Sequence, residues 1–325
     1  WQASGNRYLK VLVTGAFGQI GSELLPALRD RHGRSNVLAT SRRLPDGAAD
    51  SGPVAVLDVT NQPALEDIVA RQGTEVIYHL AAVLSAKGEQ DPERAWRVNM
   101  DGLRNVLDVS RRQAVSRVFW PSSIAVFGPS TPRENVPQDT VMRPTTIYGV
   151  SKVAGELLAD YYARNYGVDV RGVRYPGIIS NGAPPGGGTT DYAVEIFYAA
   201  LRTGNYSAFV REDCALPMMY MPDCINAALT LMAADRTQLR FQTGYNVSSM
   251  SFALGELVAE IRKHLPNFRC SYEPDTRQLI ADSWPRSLDD SAAREDWHWQ
   301  PDYDLQRMTA DMLAVLTARQ NPGDP

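Results

Sequence analysis

The chain has 325 residues and a net charge of −4, with 44% hydrophobic and 22% charged residues. These are ordinary values for a folded protein, and a chain of this length buries most of its unfolded surface, which excludes intrinsic disorder for its bulk. No long basic stripe occurs, and no apolar run approaches the roughly 20 residues of a membrane span, so we expect neither a nucleic-acid nor a membrane partner. Three cysteines and four histidines without zinc-ligand spacing predict neither disulfides nor a metal site.

Apolar runs alternate with helical periodicity through the first half of the chain. Strands are predicted over residues 8–14, 36–41, 54–58, 75–80, 117–121 and 168–175. Helices are predicted over residues 19–31, 62–71, 91–113 and 148–166. This alternation indicates the α/β class and a doubly wound parallel sheet, the Rossmann fold, with right-handed crossovers. We expect residues 1–175 to form this domain.

After residue 175 the pattern becomes mostly helical. A Pro- and Gly-rich loop is predicted over residues 182–188, and one short strand over residues 245–247. Four helices are predicted over residues 190–202, 222–234, 251–264 and 305–319. Ser251 is the expected N-cap of its helix. We expect a smaller C-terminal lobe over residues 176–213 and 251–325, with residues 214–250 returning to the first domain. Such a lobe would close a site at the carboxyl ends of the strands, where open α/β sheets bind ligands.

Three glycines lie between the first predicted strand and the first helix. Gly15 suits the tight turn, Gly18 lets the backbone approach a pyrophosphate, and Gly21 allows close helix–strand packing. The helix N-terminus then presents free N–H groups and a partial positive charge to the phosphates. In this strand–turn–helix context the glycines predict a dinucleotide site.

A second motif predicts redox chemistry. Tyr148 and Lys152 are four residues apart and share one face of a predicted helix. A tyrosine has a pKa of about 10, so a base at neutral pH needs that pKa lowered, for which Lys152 and a positive nicotinamide ring are the expected causes. Ser123, with Ser122 as the second choice, ends the fifth predicted strand, where a hydroxyl would hold the reacting oxygen.

The GxxGxxG spacing resembles the extended short-chain dehydrogenase/reductase superfamily. Asp58 ends the third predicted strand, where that superfamily places an aspartate against the adenine ring, and residues 79–82 (HLAA) match its Ala-rich turn. One position departs, because Ser41-Arg42 stands where an aspartate would bind the ribose 2′-hydroxyl and select NAD. The serine can still bond that hydroxyl, whereas Arg42 and Arg43 favour a 2′-phosphate, so the residues alone slightly favour NADP over NAD.

Longer stretches resemble one family, the L-threonine 3-dehydrogenases of the short-chain, epimerase-like type. These stretches are residues 78–85, 118–128, 143–159, 174–179, 184–195, 216–223 and 282–290. Residues 184–195 (PPGGGTTDYAVE) are the most specific, because sugar-nucleotide epimerases do not share them. The resemblance implies oxidation of the threonine 3-hydroxyl by NAD to 2-amino-3-ketobutyrate, with Tyr148 taking the proton and Ser123 fixing the oxygen.

The resemblance also implies two sets of binding residues. Cofactor contacts are expected at Gly15, Phe17, Gly18, Gln19, Ile20, Gly21, Ser41, Arg42, Asp58, Val59, Leu80, Ala81, Ala82, Asn99, Tyr148, Lys152, Tyr175 and Ile178. Substrate contacts are expected at Ser85, Ser122, Ser123, Tyr148, Thr189, Thr190, Asp191 and Trp284. The Asp191 carboxylate suits the ammonium group of the substrate, and the serine and threonine hydroxyls suit the carboxylate of the substrate. Trp284 either covers the pocket or packs in the core.

The same resemblance implies partners and a compartment. A homodimer is expected through the helices over residues 91–113 and 148–166, packed as a four-helix bundle. The labile product implies a functional partner, 2-amino-3-ketobutyrate CoA ligase. The expected compartment is the mitochondrial matrix in a eukaryote and the cytoplasm otherwise.

Three other functions stay open from the residues. A UDP-sugar epimerase or dehydratase would use the same scaffold with a large nucleotide pocket, and a dehydratase would need acidic residues where Ile124-Ala125 stands. A non-catalytic dinucleotide sensor usually lacks the tyrosine or the lysine, and this chain keeps both. A zinc-dependent threonine dehydrogenase needs Cys/His spacing, which is missing.

Overall fold

The computed structural model describes residues 8–182 and 186–320. Its strands are β1 (Val11–Thr14), β2 (Val37–Ser41), β3 (Val54–Val56), β4 (Val76–His79), β5 (Arg117–Phe119), β6 (Ser122–Ser123), β7 (Val170–Arg171), β8 (Val173–Tyr175), β9 (Gly177–Ile179), β10 (Asn205–Ala208), β11 (Ala215–Tyr220), β12 (Tyr245–Asn246), β13 (Met250–Ala253) and β14 (Arg269–Tyr272). Its α-helices are α1 (Gln19–His32), α2 (Gln62–Gln72), α3 (Ser85–Gln90), α4 (Pro92–Trp96), α5 (Gly102–Arg112), α6 (Ile147–Tyr166), α7 (Tyr192–Thr203), α8 (Met221–Ala233), α9 (Leu254–His264), α10 (Thr276–Ser283), α11 (Ser291–Trp297) and α12 (Leu305–Gln320). Within these two stretches, no helix has the length and apolar character needed to cross a membrane.

A six-stranded parallel sheet organises the N-terminal half, in the order β3-β2-β1-β4-β5-β7. Val11 and Val13 of β1 belong to the core that α1 and α8 cover, whereas Leu12 between them belongs to the core that α2, α5 and α6 cover. Side chains alternate along a strand, so one short apolar run fills both cores. Helices on both faces of a parallel sheet confirm the predicted doubly wound fold.

The strand predicted over residues 168–175 is broken in two. Gly172 separates β7 from β8 and lies so close to Trp120 that a Cβ there would be 2.0 Å from the Trp120 carbonyl oxygen. β8 leaves the main sheet and pairs in parallel with β6 and β12, with Ser123 opposite Tyr175. This small second sheet extends the carboxyl end of β5 toward the C-terminal lobe.

The helix predicted over residues 91–113 is also interrupted. It consists of α4, a π-helical turn over Arg97–Asp101, and α5. Asp91 caps α4, since its side chain accepts the Arg94 backbone N–H at 3.1 Å. Single π turns inside α-helices are frequent at functional sites, and this one contains the buried Asn99.

The C-terminal lobe combines helices with two small sheets, β13-β11-β9 and β10-β14. Its core lies between these strands and α7, α9, α10 and α12, which confirms the predicted mostly helical lobe. Ser251 does not cap a helix as predicted, because it lies in β13, antiparallel to Pro217 of β11. α9 begins at Leu254 instead, and there the Ala253 N–H donates to Glu256 Oε2 at 2.6 Å.

Residues 214–250 contribute to both halves of the molecule. β11 pairs with β9 and lies in the lobe core, whereas α8 packs against α1 and β12 pairs with β8. Ala293 of α11 also returns to the N-terminal core. The division into residues 1–175, 176–213 and 251–325 therefore stays a prediction, and contacts of β11 and α11 cross it.

Candidate active site

A cavity of about 220 Å³ lies between the sheet and the C-terminal lobe, at the carboxyl ends of β1, β4 and β6. The predicted residues that line it are Gly15, Gly18, Gln19, Ile20, Gly21, Leu80, Ala82, Ser85, Ser122, Ser123, Tyr148, Lys152, Tyr175, Ile178, Thr189, Thr190, Asp191 and Trp284. Lining residues that the motifs did not single out are Leu84, Pro121, Ile124, Pro176, Gly177 and Gly188. Segments far apart in the sequence thus meet around one cavity.

Some predicted cofactor residues lie outside the cavity lining. They are Phe17, Ser41, Arg42, Asp58, Val59, Ala81 and Asn99. Ser41 ends β2 and Asp58 follows β3, next to the glycine turn, which the Ala16 N–H ties to the Thr40 carbonyl at 3.1 Å. The cofactor contacts of these seven residues stay predictions.

The three glycines of the turn have different neighbours. Gly15 has φ +67°, and a Cβ there would lie 2.7 Å from the Ala81 nitrogen, while a Cβ at Gly21 would lie 2.5 Å from the Gly15 carbonyl oxygen. Gly18 is different, because its nearest neighbour would be that same oxygen at 3.4 Å. Gly18 is the N-cap of α1 and supplies no side-chain cap. Open space above an uncapped helix N-terminus fits a pyrophosphate group.

A charged carboxylate follows β3, and an unpaired hydroxyl ends β2, the strand next to β1. Asp58 Oδ1 accepts the Thr60 backbone N–H at 2.9 Å and the Thr60 hydroxyl at 2.7 Å. Burial acts to raise the pKa of Asp58, but the Thr60 hydrogen bonds and the charges of Arg42 and Arg97 keep it below its usual value. Among the residues that the structure describes, the Ser41 hydroxyl has no hydrogen-bond partner. Both groups suit the polar adenosine half of a dinucleotide.

The Asn99 side chain makes three hydrogen bonds within the protein. Its Oδ1 accepts the Val83 N–H at 2.8 Å, and its Nδ2 donates to the Val83 carbonyl at 3.0 Å and to Ser151 Oγ at 3.2 Å. Ser151 donates in turn to the Tyr148 carbonyl at 2.7 Å. Both hydrogens of the amide are thus engaged, and the cofactor contact of Asn99 stays a prediction that would use the second lone pair of its Oδ1. Asn99 instead ties the loop after β4 to the start of α6.

The predicted catalytic residues meet on one wall of the cavity. Thr146 caps α6 by accepting a backbone N–H of its first turn, which fixes the start of the helix that carries Tyr148 and Lys152. The Ser123 side chain interacts with the Tyr148 phenol. Lys152 Nζ lies 5.5 Å from the Tyr148 ring centroid and donates to the Pro121 carbonyl at 2.5 Å. The arrangement brings a phenol, a hydroxyl and an amine to one point.

Burial dominates the electrostatics of this wall. It raises the pKa of Tyr148 to about 12, and the interaction with Ser123 opposes this shift only in part. Burial also lowers the pKa of Lys152 to about 7, although the charge of Glu156 acts in the opposite direction. The expected lowering of the tyrosine pKa is therefore not produced by the side chains of the site, because the cost of desolvating a phenolate exceeds what they supply.

The opposite wall contains hydroxyls and a buried carboxylate. Ser85 Oγ lies 3.1 Å from Thr189 Oγ1. Asp191 Oδ2 accepts two backbone N–H groups, of residues 187–188, at 2.8 Å each. Burial raises the pKa of Asp191 despite these hydrogen bonds. Residues 183–185 of the predicted loop lie outside the described residues.

Three lining residues also make contacts within the protein. Trp284 is 4% exposed and belongs to the lobe core, so it both lines the cavity and packs in the core. The Ser122 hydroxyl donates to Glu156 Oε1 at 2.5 Å, and the Tyr175 hydroxyl donates to the Cys224 carbonyl at 2.7 Å. The Ser122 hydroxyl hydrogen is therefore engaged, and the substrate contact of Ser122 stays a prediction that would use its oxygen as an acceptor.

Metal-binding side chains do not gather in the described part of the chain, which contains no group of three or more His, Cys, Asp or Glu residues positioned to hold an ion. His79, at the end of β4, is buried with its Nδ1 2.7 Å from Thr14 Oγ1. Burial, and to a lesser extent the charge of Lys152, lowers the pKa of His79 to about 3. This imidazole is therefore neutral at physiological pH.

Comparison with known proteins identifies the family. Residues 11–247 match the model of the NAD dependent epimerase/dehydratase family. An uncharacterized epimerase/dehydratase of Staphylococcus haemolyticus is 48% identical over 96% of this chain and 98% of its own. Two solved structures are similar over nearly their whole length. The holo form of the GalE-like L-threonine dehydrogenase from Cupriavidus necator has 52% identity, a TM-score of 0.92 and coverage of 94% of this chain and 99% of that one. The L-threonine dehydrogenase from Clostridium difficile has 46% identity, a TM-score of 0.94 and coverage of 98% and 100%. The predicted resemblance is confirmed, and the chain belongs to the NAD dependent epimerase/dehydratase family.

Proposed function

We propose that the chain is an L-threonine 3-dehydrogenase that oxidises the 3-hydroxyl of L-threonine with NAD to give 2-amino-3-ketobutyrate and NADH. The observation that carries this proposal is the meeting of Tyr148, Lys152 and Ser123 with the glycine turn and the Thr189–Asp191 wall around one cavity. Similarity to solved threonine dehydrogenases at 46% and 52% identity supports threonine over a UDP-sugar as the substrate.

Tyr148 is the base in this proposal. Its phenolate oxygen takes the proton of the threonine 3-hydroxyl, and the Ser123 hydroxyl holds that oxygen in place. When bound along the glycine turn, NAD supplies the acceptor for the C3 hydride and a positively charged ring beside the phenol. Because burial favours the neutral phenol, the ammonium form of Lys152 is the side chain that must compensate on the protein side.

The opposite wall orients the amino acid. Asp191 Oδ2 is occupied by backbone N–H groups, which leaves Oδ1 to accept the substrate ammonium. The Ser85 and Thr189 hydroxyls, with Thr190 beside them, suit the substrate carboxylate. Asp191 is only 7% exposed, so its attraction for an ammonium is screened little by water. Trp284 covers the substrate on the lobe side.

NAD is the proposed cofactor, in keeping with the NAD dependent family to which the chain belongs. Ser41 accepts or donates a hydrogen bond at the ribose 2′-hydroxyl in the position where an aspartate is usual. Arg42 would then flank the adenine and would have no 2′-phosphate to pair with. The acidic residue proposed for the adenosine half of NAD is Asp58, which the hydrogen bonds from Thr60 keep ionised.

A homodimer through the stretch of α4, the π turn and α5, together with α6, is part of the proposal. Val150, Leu157 and Tyr161 are exposed along α6 at intervals of seven and four residues, and Trp96 is exposed on α4. Side chains with this spacing share one face of a helix, so the two helices present an apolar stripe that four-helix packing would cover.

A labile keto acid product favours a functional partner, 2-amino-3-ketobutyrate CoA ligase. For a bacterial chain like its Staphylococcus relative the compartment is the cytoplasm, and the mitochondrial matrix applies to a eukaryotic source.

The direct test is absorbance at 340 nm with L-threonine and NAD. Wild-type protein is expected to form NADH, and Tyr148→Phe is expected to lose turnover by at least about 10²-fold, the scale of a general base, with the Kd for NAD within twofold. Tyr166→Phe is the matched control, because it removes an exposed phenolic hydroxyl from the C-terminal end of the same helix.

Two outcomes would overturn the proposal. One is interconversion of UDP-glucose and UDP-galactose by a protein that forms no NADH from threonine. The other is a large loss of NAD affinity in Tyr148→Phe, since a base that acts on the substrate should leave cofactor binding nearly intact.

A further inference from the structure

Three consecutive residues of the segment that ends in β6 contact three residues of α6 spaced four apart. The contacts are Ser123 with Tyr148, Pro121 with Lys152, and Ser122 with Glu156. Residues four apart lie above one another on a helix face, so the short segment and the helix are joined along two turns. The first two contacts involve the predicted catalytic residues, whereas the third involves a carboxylate to which no role has been assigned.

Glu156 is a buried charge with every oxygen engaged. It is 5% exposed, Oε1 accepts from Ser122 Oγ at 2.5 Å and Arg174 Nε at 3.0 Å, and Oε2 accepts from Arg174 Nη2 at 2.8 Å. Arg174 is itself 5% exposed and donates to the Gln138 carbonyl at 2.9 Å and Asn246 Oδ1 at 3.1 Å. A buried ion pair contributes little net stability, because desolvation offsets the attraction. Stability therefore does not account for this ion pair, and its fixed hydrogen-bond geometry needs another explanation.

The geometry of β6 connects this ion pair to the reaction site. Neighbouring residues of a strand point to opposite faces, so the Ser122 side chain contacts Glu156 while the Ser123 side chain lies on the other face and interacts with Tyr148. β6 consists of these two residues alone and pairs with β8, where Arg174 is opposite Ser122. The Glu156 carboxylate thus holds β6 in two ways. It binds the Ser122 side chain directly, and it binds the guanidinium of Arg174 on β8, the strand that pairs with β6.

We propose that Glu156 is a positioning residue that acts through Ser122 to hold the Ser123 hydroxyl and the Pro121 carbonyl against Tyr148 and Lys152. For the reaction that it serves, this inference rests on the proposed function. Glu156 touches no substrate in this role and acts only by fixing the two residues on either side of Ser122. Misplacement of a reacting group by about 1 Å costs up to roughly 10²-fold in rate.

The key variant is Ser122→Ala, which removes the link and leaves the Glu156–Arg174 pair intact. We expect kcat for threonine oxidation to fall about ten- to a hundredfold, with KM for threonine and NAD within twofold. Glu156→Gln is the second variant and also removes the charge that faces Arg174. The loss of kcat in the double variant should be smaller than the product of the two single losses, because both changes act on the Ser122–Glu156 link. Asp169→Asn is the matched control, since it disrupts a pair with the buried Arg171 away from the cavity.

A second readout does not depend on the reaction. Hydrogen exchange of the backbone amides over residues 123–126 should be about tenfold faster in Ser122→Ala than in wild type, and unchanged in Asp169→Asn. Unchanged exchange in Ser122→Ala, or a kcat within twofold of wild type, overturns the positioning role. A raised KM for threonine with normal kcat also overturns it, because Ser122 would then bind substrate directly. A wild-type protein inactive on threonine contradicts the proposed function, while the exchange result still decides the role of Glu156.

Discussion

Alanine substitutions at two glycines of the turn, Gly18 and Gly21, distinguish an effect on cofactor binding from an effect on folding. At Gly18 the backbone φ is −81°, and the nearest atom to a new Cβ would be 3.4 Å away, so alanine fits the chain itself. At Gly21 a Cβ would lie 2.5 Å from the Gly15 carbonyl oxygen and 2.7 Å from the Ala16 carbonyl carbon. Gly18→Ala therefore fills only the space proposed for the pyrophosphate, whereas Gly21→Ala forces α1 away from the turn.

The two variants are expected to differ in both affinity and stability. Gly18→Ala should raise the Kd for NAD at least about tenfold, or about 1.4 kcal/mol, and change the free energy of unfolding by no more than about 1 kcal/mol, the range for a helix N-cap. Gly21→Ala should lose about 1–3 kcal/mol of stability from overpacking against backbone. Fluorescence titration with NAD and urea unfolding of the free protein measure the two quantities. An unchanged Kd for Gly18→Ala, or a Gly21→Ala protein as stable as wild type, would refute the reasoning.

Three further changes test the other parts of the site. Ser41→Asp should raise the ratio of NAD to NADP affinity at least about tenfold by repelling a 2′-phosphate, and an unmoved ratio would show that Ser41 is not at the ribose. Burial lowers the pKa of Lys152 from 10.5 to about 7, so its charge opposes folding most below pH 7 and progressively less toward pH 10. Lys152→Met should therefore stabilise the protein more at pH 6 than at pH 9 in urea titrations, and an equal gain at both would contradict the assignment. Leu157→Glu should give monomers in sedimentation velocity that remain folded, because this side chain is 63% exposed in the single chain. Dimers that persist would place the interface elsewhere.

The strands could be predicted from the sequence because each is a short apolar run, but their breaks could not. Val11 to Val13 read as a buried strand in any context, and the structure pairs them on both sides. Gly172 interrupts the sixth run because the Trp120 carbonyl lies against it, a contact between residues far apart in the chain. An isolated glycine within a strand pattern is a signal of close backbone approach, although it does not say which backbone approaches.

The site could be predicted where a motif fixes local geometry, and less well where tertiary partners decide. Spacing alone puts Tyr148 and Lys152 on one face, and the structure agrees. Ser122 and Asn99 were predicted as ligand contacts, yet both spend their donors on protein acceptors that no local pattern identifies. Glu156 had a usable signal, because it continues the Tyr148–Lys152 spacing by one more turn and must share their buried face.

The electrostatics of the phenol show the limit of spacing arguments most clearly. A lysine one turn away from Tyr148 predicts a lowered pKa if the Coulomb interaction is considered alone. The same packing that brings the two side chains together removes water from both, and desolvation disfavours the charged form of each, raising the pKa of Tyr148 and lowering that of Lys152. Helical periodicity therefore predicts which groups meet, whereas the sign of the pKa shift depends on how completely the lobe and α6 exclude water from them.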